Sequence, residues 1–405
     1  VIPGDFVTTE DGTGIVHIAP TYGADDFRAA KEAGVPGILV KDENGKEVPT
    51  VDRTGRFVKE VTDFAGRFVK EEYYSAEERA DKDFRPTDVL IAIKLKEDNK
   101  AFDVKKYEHT YPHCWRTDKP VLYYPLDSWF IKTTAVKEKL VELNKTINWK
   151  PEATGSGRFG NWLENLVDWN LSRSRYWGTP LPIWRTEDEN EEICIGSMIE
   201  LKQYLEASLQ SDVLTLDEKS VNKEYLDKFG SEKLDLHRPY VDHIVLVSES
   251  GQKMFRELDL IDVWFDSGAM PYAQWGLDYD KLAAGDPLPF KSEYNSAFPA
   301  DFIAEGVDQT RGWFFTLHAI STMVRGSVAF KNVVSNGLVL DKNGNKMSKR
   351  LGNGVDPFAT IDKYSADATR WYMISNASPW DNLKFNEEGL DEVRRKFFGT
   401  LYNTY

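Results

Sequence analysis

Residues 298–340 read FPADFIAEGVDQTRGWFFTLHAISTMVRGSVAFKNVVSNGLVL, and the reading of this stretch decides the fold. Residues 298–304 read as a buried strand, 310–324 as a largely apolar helix and 332–340 as a second strand. A strand, a helix of that length and another strand imply a right-handed crossover. The sheet is then parallel and its ligand lies beyond the strands' carboxyl ends. Glu305 and Asn336 would sit just past two such ends. A further helical segment is expected over 357–375, so the fold class is α/β.

Outward from this core the texture changes. Residues 135–149 favour helix by composition, and 157–177 combine Trp162, Leu163, Leu166, Trp169 and Trp177 with Arg158, Arg173 and Arg175. Residues 186–233 are charged and locally helical, as over 198–209, and read as a connecting or inserted module. A dense aromatic segment from Tyr107 holds Tyr111, His113, Cys114, Trp115 and Arg116, then Tyr123, Tyr124, Trp129 and Phe130; a boundary is expected there. Residues 1–100 are rich in Gly turns, with short β-type runs at 14–18 and 37–40. Partial polar/apolar alternation follows at 89–96, so this region reads as a β-rich α/β module.

Composition narrows the function. With 405 residues, 41% hydrophobic and 29% charged, the chain suits several soluble domains and excludes collagen-like or globally disordered classes. Its longest uncharged runs, such as residues 312–324, have thirteen residues against the roughly 20 that span a bilayer, so no membrane passage is expected. Acidic residues outnumber basic ones 66 to 51, a formal charge of −15, so a polyanionic partner would need a local basic patch. Two cysteines, Cys114 and Cys194, make no disulfide framework and fit a reducing compartment. The start, Val1-Ile2-Pro3-Gly4-Asp5, has no signal-peptide pattern and reads as a cut within a longer protein.

The strongest local signal is Lys346-Met347-Ser348-Lys349-Arg350, between Asp341-Lys342-Asn343-Gly344-Asn345 and Leu351-Gly352-Asn353-Gly354. Two lysines flanking a Ser in a Gly/Asn-rich loop can clamp phosphate, although a bare charge cluster is more often a solvated loop. In this order, after a strand, the residues resemble the signature loop of the class I aminoacyl-tRNA synthetases. That loop binds ATP and stabilises the pyrophosphate leaving group, and the resemblance gives Lys346 and Lys349 the catalytic role. Residues 262–268 and 305–314 are similar to isoleucyl-type versions of two adenylate-site segments, and 171–180 to a segment preceding the second half of the catalytic fold. Residues 12–20, with Gly23, Asp25 and Asp26, resemble the end of the editing domain.

The resemblance implies residue roles and a domain plan. Trp264 and Trp313 would enclose the isoleucine side chain, where isolated Trp residues would otherwise read as core. Glu305, Gly306, Asp308, Gln309, Asn336 and Ser348 would bind ATP and adenylate; helix capping is the other reading of the acidic residues, and an ordinary strand-ending Asn that of Asn336. Asn336, where bacterial relatives often have His, resembles a eukaryotic-like branch. Asp26 would anchor the amino group of a mischarged product and His17 would line the editing site, His17 on an apolar strand otherwise reading as a buried structural His. The domains implied are 1–108, the carboxyl-terminal part of a β-rich editing domain; 109–385, the second half of a Rossmann-like catalytic domain with a connective segment around 186–258; and 386–405, the start of a helical anticodon-binding domain.

The implied activity is activation of L-isoleucine by ATP with Mg²⁺ and transfer to tRNA(Ile), with hydrolytic editing of valine, by a cytoplasmic monomer. His109, His113 and Cys114 lack the further ligands of a zinc site, so no metal is expected. No His-Ile-Gly-His signature occurs in the 405 residues, so the chain by itself is expected to be catalytically incomplete. A free-standing editing hydrolase and a non-catalytic tRNA-binding protein are the alternatives.

Overall fold

The computed structural model describes all residues except 11–12, 44, 107, 115–116, 232, 275–297 and 349–350. Gly12, Tyr107, Trp115, Arg116, Lys349 and Arg350, named above, lie outside the described residues. The chain divides into two compact units, Val1–Asp127 and Ser128–Tyr405.

In the first unit, α1 (Ala24–Glu32) buries Ala29 and Ala30 and carries Asp25 and Asp26 in its first turn, where carboxylates suit the helix dipole. Strands β1 (Leu39–Lys41) and β2 (Glu47–Pro49) pair antiparallel. Residues 89–96, expected to alternate as a strand, belong instead to α2 (Thr87–Glu97). Its ends explain the difference. Pro86 stands at the N-cap, Asp88 lies in the first turn and Lys94 and Lys96 in the last; Asn99 then takes a left-handed φ of 55°. These terminal signals favour helix, and a partial alternation over eight residues does not outweigh them.

The unit is correspondingly less β-rich than the sequence implied. Its described residues hold one two-stranded ladder and the isolated bridges Val51–Phe57, Arg56–Phe68 and His113–Pro120, and residues 14–18 form no strand. This compact unit runs on to Asp127. Tyr73 donates to the Pro120 carbonyl at 2.6 Å and Tyr111 to that of Val121 at 2.9 Å, tying the aromatic segment to it.

In the second unit, α3 (Lys137–Asn144) leads into β3 (Asn148–Lys150), a strand within the stretch that composition assigned to helix. Trp149 of β3 is buried, donates from Nε1 to Asn144 Oδ1 at 2.9 Å, and lies against Gly155, where a Cβ would come within 2.2 Å of the indole. Next, β4 (Ser172–Arg173) pairs antiparallel with β5 (Leu260–Ile261), which runs into the short helix α4 (Val263–Gly268).

Between them lies a four-stranded antiparallel sheet (Ile183–Thr186, Glu192–Cys194, Leu246–Val247, Lys253–Arg256) with helices Met198–Leu209 and Leu216–Lys228. It has its own core around Trp184, Leu205, Ile244 and Met254.

The crossover read from residues 298–340 is present, but its first strand lies at 303–306 rather than 298–304, has no fully buried residue and contains Glu305 instead of ending before it. Strand β6 (Ile303–Gly306), helix α5 (Trp313–Arg325) and strand β7 (Asn332–Asn336) follow in order, and the sheet runs β6-β7-β3 with every pairing parallel. Residues 314–322 of the largely apolar α5 are all buried, the polar Thr316, His318, Ser321 and Thr322 among them, and Gly326 ends it in the left-handed conformation. Beyond it, β8 (Val339–Leu340) pairs parallel with β9 (Leu383–Lys384). The helical segment expected over 357–375 is two helices, α6 (Pro357–Tyr364) and α7 (Ala366–Ser375), divided at Ser365, whose side chain caps the second. Tyr364, Tyr372, Leu383, Phe385 and Leu390 form a second small core against which Met347 packs.

Candidate active site

Parallel pairing brings the ends of β6 and β7 together: Glu305 lies opposite Ser335, and Gly306 opposite Asn336. Gly306 opens a tight turn, Val307–Arg311, before Gly312 and α5. A Cβ on Gly306 would stand 2.5 Å from Asp308 Oδ1, and one on Gly312 2.6 Å from Gln309 Oε1, so neither position admits a side chain without displacing a site residue. Gln309 Oε1 accepts from Trp313 N–H at 3.0 Å and its Nε2 donates to Asp308 Oδ2 at 3.2 Å. Capping α5 is thus the work of Gln309, while the Glu305 and Asp308 side chains are exposed at the strand end. Beneath the turn, buried Thr310 accepts from Arg158 Nε at 2.9 Å.

Trp264 and Trp313 come together around Gly312, where an added Cβ would stand 3.4 Å from the edge of the Trp264 ring. Trp313 Nε1 donates to the Ser267 carbonyl at 3.1 Å, joining α5 to α4. Trp313 is half-buried and Trp264 is 40% exposed.

Asp262 holds Trp264 from below. Its buried carboxylate accepts from Trp264 N–H (3.3 Å) and Trp169 Nε1 (3.0 Å) and pairs with Arg173 (2.7 Å). Motif reading assigned neither Asp262 nor Arg173 a role; the signal was their place in two motifs far apart in the chain. A second clasp joins the same motifs, Thr179 Oγ1 donating to Asp266 at 3.1 Å. Burial pushes the Asp266 carboxyl up and the nearby Asp262 charge adds to this, with the Thr179 bond opposing.

The loop after β8 starts as a tight turn. Asp341 Oδ1 accepts from the N–H groups of Asn343 (2.9 Å) and Asn345 (2.8 Å), and Gly344 takes a φ of 87°. Bonds from Asn345 N–H, the Asn353 amide and Asn343 N–H hold the Asp341 carboxyl below its ordinary value. Lys346 is exposed, Ser348 is half-buried, and Ser348 N–H donates to Asn353 Oδ1 at 2.9 Å.

A family model described as tRNA synthetases class I (I, L, M and V) matches residues 58–386. The chain belongs to this family. Relatives named isoleucine–tRNA ligase, from Cytophaga hutchinsonii, Bacteroides thetaiotaomicron and Clostridium acetobutylicum, are 67%, 59% and 43% identical to it over its whole length. The chain spans 35%, 36% and 34% of those relatives, about a third of each. All three come from bacteria, and nothing in these matches supports the eukaryotic-like branch suggested by Asn336.

In the first unit of this class I synthetase chain, Asp26 and His17 are placed differently. Asp26 Oδ2 accepts from Ala19 N–H at 2.8 Å and lies against Gly23, so part of the carboxylate is already engaged. His17 is exposed and lies on no strand, against the expectation of an apolar strand: residues 14–18 find no ladder partner among the described residues. An apolar cavity of about 460 Å³ lies nearby, lined by Ile2, Phe6, Ile15, Val16 and Val35 among others, but neither His17 nor Asp26 lines it. Among the described residues, no group of three or more His, Cys, Asp or Glu side chains is placed to hold a metal. None of their helices is long and apolar enough to cross a membrane.

Proposed function

We propose that this chain supplies the isoleucine pocket and the phosphate-binding loop of an isoleucine–tRNA ligase. The observation that carries the reading is the shared end of β6 and β7, Gly306 beside Asn336, from which the chain runs into both the 307–313 turn and the 341–348 loop. The names of the relatives bring in isoleucine and tRNA.

In the reaction, the isoleucine carboxylate attacks the α-phosphorus of ATP. A carboxylate–phosphorus bond forms, the bond to the β-phosphate oxygen breaks, and pyrophosphate leaves. Lys346 and Lys349 stabilise the negative charge developing on the triphosphate, which reaches the site as its Mg²⁺ complex. Glu305 and Asp308 suit ribose hydroxyls or an ammonium, Gly306 admits close approach of the nucleotide, and Asn336 and Ser348 bond ATP. Trp264 and Trp313 enclose the side chain. A hydroxyl of the terminal ribose of tRNA(Ile) then attacks the adenylate carbonyl and AMP leaves.

A missing methylene is worth about 1–3 kcal/mol, a value for which this enzyme class is itself the standard illustration, so a hydrolytic step against valine with Asp26 and His17 completes the selection. The protein works as a cytoplasmic monomer, with residues 1–108 in its editing domain, 109–385 in its catalytic domain and 386–405 opening its anticodon domain.

The test is ATP–pyrophosphate exchange with isoleucine, valine and leucine. The complete gene product is expected to prefer isoleucine and the 405 residues alone to show no exchange, because they carry no His-Ile-Gly-His segment. A complete protein that prefers valine or leucine overturns the specificity; exchange by the 405 residues overturns their incompleteness.

A further inference from the structure

We propose that Asn353 is the positioning residue of the signature loop, held in place by Asp341, and that its amide sets the backbone from which Lys346 reaches the triphosphate. The proposal rests on the activation reading above.

Every polar atom of the Asn353 side chain has a partner. Oδ1 accepts from Ser348 N–H at 2.9 Å, and Nδ2 donates to Asp341 Oδ2 at 3.0 Å and to the Lys346 carbonyl at 3.2 Å. The orientation of the amide is dictated by chemistry. An N–H can only donate, and a carboxylate and a carbonyl can only accept, so the reverse orientation would break all three bonds. One side chain therefore ties together the residues on either side of Met347 and secures both to the preceding turn.

What it ties them to is well anchored. Asp341 Oδ1 is occupied by two backbone N–H groups, and Leu340 and Lys346 form an antiparallel bridge across the turn. A Cβ on Gly344 would stand 3.1 Å from Lys384 Cε, so the turn lies against β9. Met347 packs on the Tyr364–Leu383 core. The Lys346 carbonyl is bonded inward while its side chain is exposed. Charge stabilisation in a transition state depends on donors already in place, and here placement passes through one carboxamide.

Asn353→Asp keeps the size but replaces two donor hydrogens with an oxygen facing a carboxylate. Asp341→Asn sets two amide groups donor to donor. The double variant restores the 341–353 bond alone: the amide at 341 still accepts from the turn and now donates to the carboxylate at 353, which still accepts from Ser348 N–H, while the bond to the Lys346 carbonyl stays lost. Each variant of the complete gene product is assayed for isoleucine-dependent exchange, with thermal unfolding as a check on folding.

Each single variant should lower kcat by about 10- to 100-fold while the KM for isoleucine moves less than about twofold, and the double variant should exceed Asn353→Asp, whose bond to position 341 it restores, while staying below wild type because the bond to the Lys346 carbonyl is still missing. A kcat unchanged in either single variant, a proportional change in kcat and KM, or a double variant as poor as the product of the singles overturns the proposal. Should Asn353→Asp fold poorly, Asp341→Asn reads the same link from its other end, with the backbone bonds of the turn kept. Wild-type protein without isoleucine-dependent exchange removes the activation reading and this proposal together; intact exchange with indifferent variants removes the proposal alone.

Discussion

The two compact units contain nearly the same turn. At residues 52–56, Asp52 Oδ1 accepts from Thr54 N–H at 2.8 Å and Arg56 N–H at 3.0 Å, and Gly55 takes a φ of 86°. At 341–345, Asp341 Oδ1 accepts from Asn343 and Asn345 at 2.9 and 2.8 Å, and Gly344 takes a φ of 87°. In both, Asp supplies the acceptor and Gly the left-handed residue that closes the hairpin. The difference lies in what the second oxygen does. Asp341 Oδ2 holds Asn353 and, through it, the backbone around Lys346, whereas the Asp52 turn leads back into its own hairpin, with bridges from Val51 to Phe57 and from Arg56 to Phe68. A turn read from four or five residues is thus no site; one more side chain makes it part of one.

The two turns should part most sharply on activity. Lys346→Ala in the complete gene product should slow isoleucine activation about 100- to 1000-fold, and Asp52→Ala should leave the exchange rate unchanged. Equal effects would mean that the 341 turn carries no chemistry.

Acid should separate the two units next. His318 in α5 is wholly buried, with Nε2 against the Leu140 carbonyl at 2.9 Å, and burial pushes its imidazole down to about 4, the carbonyl opposing. The unfolded chain takes up this proton more readily. The second unit therefore loses stability as pH falls from about 6.5 to about 4, by on the order of 3 kcal/mol. At Asp52, burial pulls the carboxyl up, but bonds from Arg56 and Thr54 outweigh it and hold it below its ordinary value. That contribution is present above about pH 4 and is lost only as pH falls through the lowered value. Hydrogen exchange followed from pH 7 to pH 3 should show the second unit loosening first. His318→Gln should abolish the early phase; its persistence would assign the loss to other groups.

Gly55→Ala and Gly344→Ala both force a side chain into the left-handed region. A Cβ at 55 would also meet Tyr73 Cε2 at 2.8 Å, while at 344 it meets the yielding end of Lys384 at 3.1 Å. Denaturant unfolding should show about 2–3 kcal/mol lost at 55 and about 1–2 at 344. The reverse order would mean that ring contact is not what distinguishes the turns. Asp52→Asn, which keeps the accepting oxygen, should cost under about 1 kcal/mol by the same measurement.

The legible parts of the fold were those whose signal is local. Residues 313–324 carry no charge and are largely apolar, and Gly326 ends the helix, so α5 was visible between its flanking strands. Strand β3 was not visible: in Asn148-Trp149-Lys150 only the middle residue is apolar, and pairing with β7 alone makes it a strand. Helix α2 was obscured because its apolar residues gather on no one helical face, and only its terminal residues mark it as a helix. Most candidate site residues were read from ordered motifs, whereas the Arg173–Asp262 pair and the bonds of Asn353 emerge only when separate segments meet.

By itself, the sequence determined the parallel crossover, the turns, the caps and the loop carrying Lys346, because dihedral preference, side-chain capping and apolar periodicity act over a few residues. Tertiary structure alone decided that Gly306 ends beside Asn336, that Arg173 secures the helix of Trp264, and that Trp264 meets Trp313 around Gly312. The physical reason is that a buried charge needs a partner and a strand needs a ladder, and which segment supplies either depends on what the rest of the chain leaves to be covered.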